Sequence, residues 1–359
     1  MNLDEYYIKR TFELARKAEG RTSPNPMVGC IIVKKGKVIA EGFHKKAGLP
    51  HAEIEALNKI NNRAKGADLY VNLEPCFHWG RTPPCVDRVI ASGIRRVVVA
   101  SKDPNPRVCG KSISRLKKSG IKVTSGVLSS EARELNEVFF TNIKSKRPFV
   151  VAKVAQTFDG KVADSKGKSK WITGTKARQY AKKLRSLCDA ILVGANTVIK
   201  DNPSLSCPGK KLVKVVLDPR LRISSKAKLF EESKDVIIFT NKDVAKHKIE
   251  AFKDKASIVG LDCLRKGFNL KMVLKTLYAE GICSVFVEGG SRTLGSFFDH
   301  RLVDKLYMFL APKIMGKYSS LDSIGGSGYL AIEKITQLKN IDIKQIGKDY
   351  LITAYPEFR

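Results

Sequence analysis

Strand-like and helix-like patterns alternate along the whole sequence, and the alternation is interrupted once, by the basic segment IKSKRP at residues 143–148. Before this segment, apolar runs such as GCIIVK, ADLYVNL and RRVVVA are separated by stretches with helical periodicity, and beyond it the alternation restarts with PFVVAKVA. Strands separated by helices of this length are typical of layered α/β domains. A chain of 359 residues is also more than twice the ~150 residues expected of one domain. The sequence therefore predicts two α/β domains, residues 1–145 and 146–359, joined by this segment.

The charge balance bears on the possible partners. Lysine and arginine outnumber aspartate and glutamate by 66 to 35, for a formal net charge of +31, so nucleic-acid binding has to be considered. The excess is spread over both halves without a basic tail, which favours dispersed, solvated lysines and a general field that attracts small phosphorylated substrates. No apolar run approaches the ~18 residues of a membrane span, and the N-terminus lacks the apolar region of a signal peptide. We expect a cytoplasmic protein without membrane or nucleic-acid partners, and a homo-oligomer stays open.

The strongest chemical signal is His51-Ala52-Glu53, followed by Pro75-Cys76 and then by Cys85. One imidazole and two thiolates leave the fourth position of a zinc ion for water, which is the arrangement of catalytic zinc sites. Zinc brings the pKa of such a water towards neutrality, and a nearby carboxylate can pass its proton to a leaving amine. The sequence therefore predicts a zinc site of His51, Cys76 and Cys85, with Glu53 as the catalytic residue.

The spacing of the two cysteines departs from the usual pattern of zinc deaminases. That pattern is H-x-E…P-C-x-x-C, whereas eight residues separate Cys76 from Cys85 in this chain. Two other interpretations stay open on the residues alone. The cysteines can be buried in a turn beside an ordinary helix-start histidine, or a closed structural zinc site can recruit Cys30 or Cys109.

In the second half, four polar or glycine-containing segments follow strands or precede helices: residues 156–160, 169–174, 193–203 and 287–295. The last of them, VEGGSRTLG, reads as a strand, a glycine turn and a helix start, which suits the phosphate of a cofactor. Its glycines are not spaced as G-x-G-x-x-G and lie near the end of the chain. A Rossmann dinucleotide fold is therefore disfavoured.

The motifs together resemble the bifunctional riboflavin-biosynthesis deaminase/reductase family. They are PNPMVGC at 24–30, HAE at 51–53, EPCFHWGRTPPC at 74–85 and DPNP at 103–106, and the order of the four later segments matches as well. The long loop between the cysteines is a feature of that family. The resemblance implies a cytidine-deaminase-like three-layer α/β/α domain followed by a dihydrofolate-reductase-like α/β domain.

For the first domain, the resemblance implies zinc-dependent deamination of 2,5-diamino-6-(5-phosphoribosylamino)pyrimidin-4(3H)-one. It implies that the substrate is held by Asn25, His44, His78, Arg81 and Asn105. Amide and imidazole groups suit the polar edge of a pyrimidine, and an arginine suits its phosphate. Phe77 stands where the family usually has serine, but this departure removes no metal ligand.

For the second domain, the resemblance implies reduction of the ribosyl group of 5-amino-6-(5-phosphoribosylamino)uracil to ribityl by NADPH. The implied cofactor contacts are Ala155, Trp171, Thr197, Asp201, Gly290, Ser291, Arg292, Thr293, Leu294, Gly295 and Ser296. The implied substrate contacts are Ser169, Arg185, Leu205 and Glu288. Related proteins often carry an arginine where this chain has Pro208, so one phosphate contact is open, with Lys210 or Lys211 as replacements.

Two functions of other classes stay open at this point. A nucleic-acid deaminase is favoured by the net charge and the H-x-E motif, but not by the long inter-cysteine loop or by the second domain. A non-enzymatic, zinc-stabilised binding module would unfold on zinc removal and turn over no aminopyrimidine.

Overall fold

The computed structural model describes residues 2–77, 84–207, 209–232, 235–264, 267–316, 320–328 and 331–358. The chain divides into two compact units, Met1–Lys146 and Arg147–Arg359. Within the described ranges, no helix has both the length and the apolar composition that crossing a membrane requires.

The first unit contains one mixed sheet. Its strands are β1 (Gly29–Lys34), β2 (Lys37–Phe43), β3 (Asp68–Leu73), β4 (Arg96–Ser101) and β5 (Lys122–Ser125). Its helices are α1 (Leu3–Arg16), α2 (Ala52–Lys59), α3 (Cys85–Ala91), α4 (Lys111–Lys118), α5 (Ser129–Leu135) and α6 (Glu137–Ser145). The strand order is β2-β1-β3-β4-β5, and β3, β4 and β5 run parallel. Because parallel strands end at the same edge, the loops after β3 and β4 lie side by side.

Alternate residues of these strands enter two separate cores. Ile32 and Val71 pack with residues of α2, α3 and α4 on one face of the sheet, whereas Ile31 and Tyr70 pack with α1 and α5 on the other. The period of two along a strand produces this division. The result is the three-layer α/β/α arrangement that the resemblance implied.

One predicted boundary is wrong in detail. Two helices, α5 and α6, meet at Asn136, and the second continues to Ser145, inside the predicted linker. The first three residues of the predicted linker are therefore helical. The backbone of Lys146 is left-handed, with φ of 49°, and ends the helix there.

The second unit is built on a larger sheet. The strands are β6 (Phe149–Thr157), β7 (Lys161–Ala163), β8 (Ala190–Gly194), β9 (Val213–Leu217), β10 (Val236–Asn241), β11 (Ser257–Leu261), β12 (Cys263–Leu264), β13 (Gly267–Phe268), β14 (Ser284–Val287), β15 (Lys305–Ala311), β16 (Leu321–Asp322), β17 (Gln337–Ile346) and β18 (Asp349–Glu357). The helices are α7 (Thr175–Arg185), α8 (Ala195–Asp201), α9 (Lys246–Glu250), α10 (Leu270–Ala279) and α11 (Ser291–Asp299).

Nine of these strands, as far as the unit is described, form a sheet in the order β11-β10-β9-β8-β14-β6-β15-β18-β17. The strands from β11 to β15 are parallel, and β18 and β17 continue the sheet antiparallel. Apolar cores cover both faces, one with α10 and α11 and the other with α8. The short pairs β12–β13 and β16–β7 lie outside this sheet.

Candidate active sites

The candidate zinc ligands lie at the ends of three elements. Cys76 follows β3, His51 is the residue that precedes α2, and Cys85 is the first residue of α3. Helix N-termini carry partial positive charge, which favours the thiolate form of a cysteine. The alternation of strand, loop and helix therefore places His51 and Cys85 at helix N-termini and Cys76 in the loop after β3.

The three side chains form a compact cluster. His51 Nδ1 lies 3.2 Å from Cys85 Sγ, and the Cys85 N–H donates to Cys76 Sγ at 3.1 Å. Their potential ligand atoms all lie within 4.8 Å of one another. One imidazole and two thiols at this separation fit a zinc ion. Among the described residues no fourth His, Cys, Asp or Glu joins this group, so the closed site with Cys30 or Cys109 has no support.

Glu53 lies in the first turn of α2 and is only 3% exposed. Burial raises the pKa of Glu53 to about 7, against the lowering effect of the neighbouring His51. A carboxyl group near neutrality can both accept and return a proton. This is the behaviour expected of the acid–base residue.

Asn25 and His44 are brought together beside the cluster. Asn25 Nδ2 lies 3.1 Å from His44 Nε2, and His44 Nδ1 lies 3.1 Å from the carbonyl oxygen of Pro50. The rings of His44 and His51 stand edge to face with centroids 5.3 Å apart. Burial lowers the pKa of His44 and favours the neutral ring. The two predicted substrate contacts thus adjoin the candidate metal ligands.

Two buried asparagines that the sequence analysis did not single out hold the segment beyond Asn25. The Met27 N–H donates to Asn136 Oδ1 at 2.7 Å, and Asn136 Nδ2 and Asn72 Nδ2 donate to the Met27 carbonyl. Asn72 Oδ1 also accepts from the Gly29 N–H at 2.8 Å. These bonds replace the strand pairing that the irregular segment lacks.

Of the remaining predicted contacts of the first unit, Asn105 is among the described residues. Asn105 lies in the loop after β4, where its Oδ1 accepts from the Arg107 N–H at 3.0 Å. His78 and Arg81 lie outside the described residues. Phe77 packs against the apolar core between sheet and helices, and the Arg115 guanidinium lies 5.9 Å from its ring centroid.

In the second unit, Glu288 is the centre of an ion-pair network. Its Oε1 accepts from Lys153 Nζ at 2.9 Å, and its Oε2 accepts from Arg185 at 2.6 Å. Burial raises the pKa of Glu288, but the two cations outweigh it and hold that pKa at about 2. Lys153 is a residue that the sequence analysis missed. The network joins the residue that follows β14 to the middle of β6 and to the last residue of α7.

Leu205 lies in the loop after α8 with φ of +55°, a conformation that a leucine rarely adopts. Arg185 donates to the carbonyl of the next residue, Ser206, at 3.0 Å. Such backbone strain is concentrated at ligand sites. Pro208 lies outside the described residues, and Lys211 pairs with Asp235 at 3.0 Å on the surface.

The predicted cofactor turn brings the starts of α8 and α11 together. Among the described residues, a Cβ placed on Gly290 would meet only Thr197 Oγ1, at 3.8 Å, whereas a Cβ on Gly289 would lie 2.5 Å from Thr293 Cβ. Gly290 precedes α11 without a side-chain cap, so helix N–H groups are left for a ligand. This open cradle fits a cofactor phosphate.

The other residues of the turn differ in their surroundings. Leu294 is 2% exposed and packs in the core, and a Cβ on Gly295 would lie 2.2 Å from the backbone of Gly325. Packing alone therefore explains why Leu294 and Gly295 stand at these positions. Ser291 and Ser296 are half-buried, and Arg292 is exposed.

Trp171 lines a cavity of ≈ 260 Å³ together with Thr157, Ser169 and Lys313. Its side chain is 64% exposed, and the Arg178 guanidinium lies 4.3 Å from its ring centroid. An exposed ring held by a cation is available for stacking on a cofactor.

The last two predicted cofactor contacts, Ala155 and Asp201, lie on different elements. Asp201 ends α8, and its carbonyl accepts from Lys170 Nζ at 3.3 Å. Ala155 lies in β6, beside Phe309 of β15.

Comparisons with known proteins agree with this division. Residues 1–101 match the cytidine and deoxycytidylate deaminase zinc-binding region, and residues 148–352 match the RibD C-terminal domain. The chain is 46% identical over 355 residues to the riboflavin biosynthesis protein RibD of Aquifex aeolicus, covering 98% of both chains.

Two solved structures are similar over the full length. One is the diaminohydroxyphosphoribosylaminopyrimidine deaminase/5-amino-6-(5-phosphoribosylamino)uracil reductase of Thermotoga maritima, with 40% identity, a TM-score of 0.86 and 99% of both chains covered. The other is RibD of Acinetobacter baumannii, with 34% identity, a TM-score of 0.88 and the same coverage.

Proposed function

The chain belongs to the RibD family of riboflavin biosynthesis proteins, and on this premise we propose which of its residues perform the two reactions. The protein is a bifunctional enzyme of riboflavin biosynthesis, a zinc-dependent deaminase followed by an NADPH-dependent reductase. The deaminase site is formed by the cluster around His51, and the reductase site by the network around Glu288 together with the Gly290 turn.

In the deaminase, His51, Cys76 and Cys85 hold zinc, which when bound acidifies a water molecule and so supplies a nucleophile at neutral pH. The buried Glu53 carboxylate accepts the proton from that water and returns it to the amino group that leaves as ammonia. Asn25 and His44 bind the polar edge of the diaminopyrimidine.

The other contacts of the deaminase follow the resemblance. Asn105 binds the pyrimidine from the neighbouring loop, His78 is a further substrate contact, and Arg81 binds the phosphate. Arg81 provides the planar, bidentate donor that phosphate prefers.

In the reductase, NADPH when bound supplies the hydride that reduces the ribosyl carbon. The open backbone at Gly290 and the hydroxyl of Thr197 bind its phosphate groups, and Trp171 stacks on one of its rings. Glu288, held by Lys153 and Arg185, orients the sugar hydroxyls. The strained backbone at Leu205 shapes the adjoining wall of the substrate site.

The observation that carries the proposal is the convergence of His51, Cys76 and Cys85 within 4.8 Å in the unit that also buries Glu53. Incubation with the diaminopyrimidine phosphoribosyl substrate and NADPH tests it. We expect release of ammonia followed by loss of the absorbance of the reduced nicotinamide. A protein that contains zinc but releases no ammonia would contradict the deaminase assignment.

We also propose that small phosphorylated pyrimidines, and not nucleic acids, are the partners of the basic surface. We propose the cytoplasm as the location, because no disulfide joins the cysteines of the described residues. A mobility-shift titration with tRNA and single-stranded DNA tests whether the basic surface binds nucleic acids. We expect no tight complex at physiological salt, whereas tight binding with a steep salt dependence would favour a nucleic-acid deaminase.

A further inference from the structure

Glu74 is a buried carboxylate with no role in the reactions described above. It follows β3, precedes the zinc ligand Cys76 by two residues and is 3% exposed. A buried charge is costly unless it is hydrogen-bonded, so its partners indicate what it does. Its carboxylate accepts hydrogen bonds from backbone N–H groups of the chain beyond β4.

One oxygen of Glu74 caps helix α4. Glu74 Oε1 accepts from the N–H groups of Ser112 and Ile113 at 3.2 and 3.3 Å. An N-cap side chain normally satisfies these donors, but Gly110 stands at that position, with φ of +76° and no side chain. Glu74 thus supplies from another loop the cap that α4 cannot supply itself, and its negative charge suits a helix N-terminus.

The other oxygen holds both ends of the loop that carries Asn105. Glu74 Oε2 accepts from the Asp103 N–H at 3.2 Å and from the Gly110 N–H at 2.9 Å. Within the loop, Asp103 Oδ1 accepts from the Asn105 N–H at 2.7 Å. Two hydrogen bonds therefore connect Glu74 to the backbone of Asn105.

The backbone at Glu74 and Pro75, which leads to the zinc ligand Cys76, is also hydrogen-bonded to the end of β4 and to α4. The Glu74 N–H donates to the Ser101 carbonyl at 2.9 Å, and the Ser112 hydroxyl donates to the Pro75 carbonyl at 2.6 Å. We propose that Glu74 is a positioning residue of the deaminase, which fixes the loop carrying Asn105 relative to Cys76. This inference rests on the proposed role of Asn105 in binding the pyrimidine.

The test compares Glu74→Gln, Asn105→Ala and the double variant in the full-length, zinc-loaded enzyme. Gln keeps the shape of Glu74 but presents N–H donors towards backbone N–H groups, so the loop loses part of its support. We expect Glu74→Gln to raise the KM for the diaminopyrimidine about tenfold, equivalent to about 1.4 kcal/mol, with a smaller effect on kcat. Because Glu74 acts through Asn105, we expect the double variant to have the KM of Asn105→Ala alone.

Zinc content and NADPH oxidation with pre-deaminated substrate should stay unchanged in Glu74→Gln. The matched control is Asp68→Asn, which removes another carboxylate of the same unit, ion-paired with Arg95 at 2.8 Å. We expect this control to leave the KM unchanged. If the KM rises in both Glu74→Gln and Asp68→Asn, a general loss of stability explains the effect. Such a result would overturn the positioning role of Glu74.

Two further results would also overturn the inference: an unchanged KM in Glu74→Gln, or effects of the two substitutions that multiply in the double variant. If Asn105→Ala itself leaves the KM unchanged, the proposed substrate contact is wrong, and the inference falls with it. Glu74→Asp keeps the charge and shortens the side chain. The same comparisons apply to it if the amide variant does not fold.

Discussion

At the residue scale, Glu53 gives the most direct test of the deaminase. Its buried carboxyl adjoins the candidate zinc ligands, and an amide in its place cannot carry the proton from water to the leaving amine. We expect Glu53→Gln to lower ammonia release by roughly 10²–10⁴-fold while zinc stays bound. Metal analysis and an ammonia assay of the same preparation measure both.

The matched control for this prediction is Glu55→Gln on the same helix. Glu55 pairs with Lys45 at 2.8 Å and has no role in the proposed proton transfer. We expect this control to keep its deaminase activity. Near-normal ammonia release by Glu53→Gln would show that another group moves the proton.

The Glu288 network predicts a pH dependence of stability. Because Lys153 and Arg185 hold the pKa of Glu288 at about 2, below its usual 4.5, the ionised carboxylate stabilises the folded reductase unit. That stabilisation is complete above about pH 4.5 and disappears as the pH falls towards 2. We expect the free energy of unfolding of wild type to exceed that of Glu288→Gln by about 3 kcal/mol at pH 6 and by little at pH 2.

Urea unfolding followed by Trp171 fluorescence measures this difference. Trp79 and Trp171 are the two tryptophans of the chain, so a Trp79→Phe background leaves a reporter of the second unit alone. A difference between the two proteins that does not change with pH would contradict the role of the carboxylate charge.

The zinc ligands and Lys153 show which residues a sequence can reveal. His51, Cys76 and Cys85 were predicted because few side chains bind zinc and because each stands at the start or end of an element. Lys153 was missed because one lysine in the apolar run PFVVAKVA carries no local signal. Its role depends on strand pairing: Val287 of β14 lies opposite Ala152 of β6, which brings Lys153 to the following Glu288.

At the element scale, the start of α11 offers a prediction with an internal control. The position of a Cβ on Gly290 is open, so Gly290→Val changes the surface of the turn with little strain on the fold. The added side chain blocks the close approach of a cofactor phosphate to the helix N–H groups. We expect Gly290→Val to weaken NADPH binding at least tenfold, as measured by fluorescence titration, with deamination unchanged.

Gly289→Ala is the comparison for this variant. Its Cβ would lie 2.5 Å from Thr293 Cβ, so the turn itself must shift, and we expect a lower melting temperature of the second unit. Gly290→Val should leave that temperature nearly unchanged. If NADPH binds Gly290→Val as tightly as wild type, the cofactor does not approach the protein at this turn.

Elements with a clear period were predicted well, and those that depend on distant partners were not. The C-terminal hairpin of β17 and β18 has no counterpart in the sequence analysis. All residues of β17 except the last, Ile346, are exposed. A register shift between Lys339 and Asp342 also breaks the alternation of buried and exposed residues that is typical of a strand. The break between α5 and α6 also has no local signal in the sequence, since the side chain of Asn136 bonds to Met27, 109 residues away.

At the scale of the whole molecule, each proposed site lies within one unit. The candidate zinc ligands and Glu53 belong to Met1–Lys146, and Glu288 and the Gly290 turn belong to Arg147–Arg359. Each unit also has its own apolar cores on both faces of its sheet. We therefore expect removal of zinc by a chelator to abolish deamination and to leave reduction of the deaminated substrate intact. Loss of both activities together would show that the reductase depends on the metal.

The same division predicts that a fragment of residues 147–359 folds and binds NADPH without zinc. The fragment must begin at Arg147, because this residue donates two hydrogen bonds, at 2.6 and 2.7 Å, to Asp304 at the start of the adjoining strand. Asp304 in turn accepts from the Val150 N–H at 2.7 Å and so fixes the first strand of the unit. A fragment of residues 149–359 leaves Asp304 without its arginine, and we expect its melting temperature to be lower by about 2–4 °C for each 1 kcal/mol lost. Equal stability of the two fragments would exclude this role for Arg147, and a 147–359 fragment that fails to bind NADPH would show that the reductase requires the first unit.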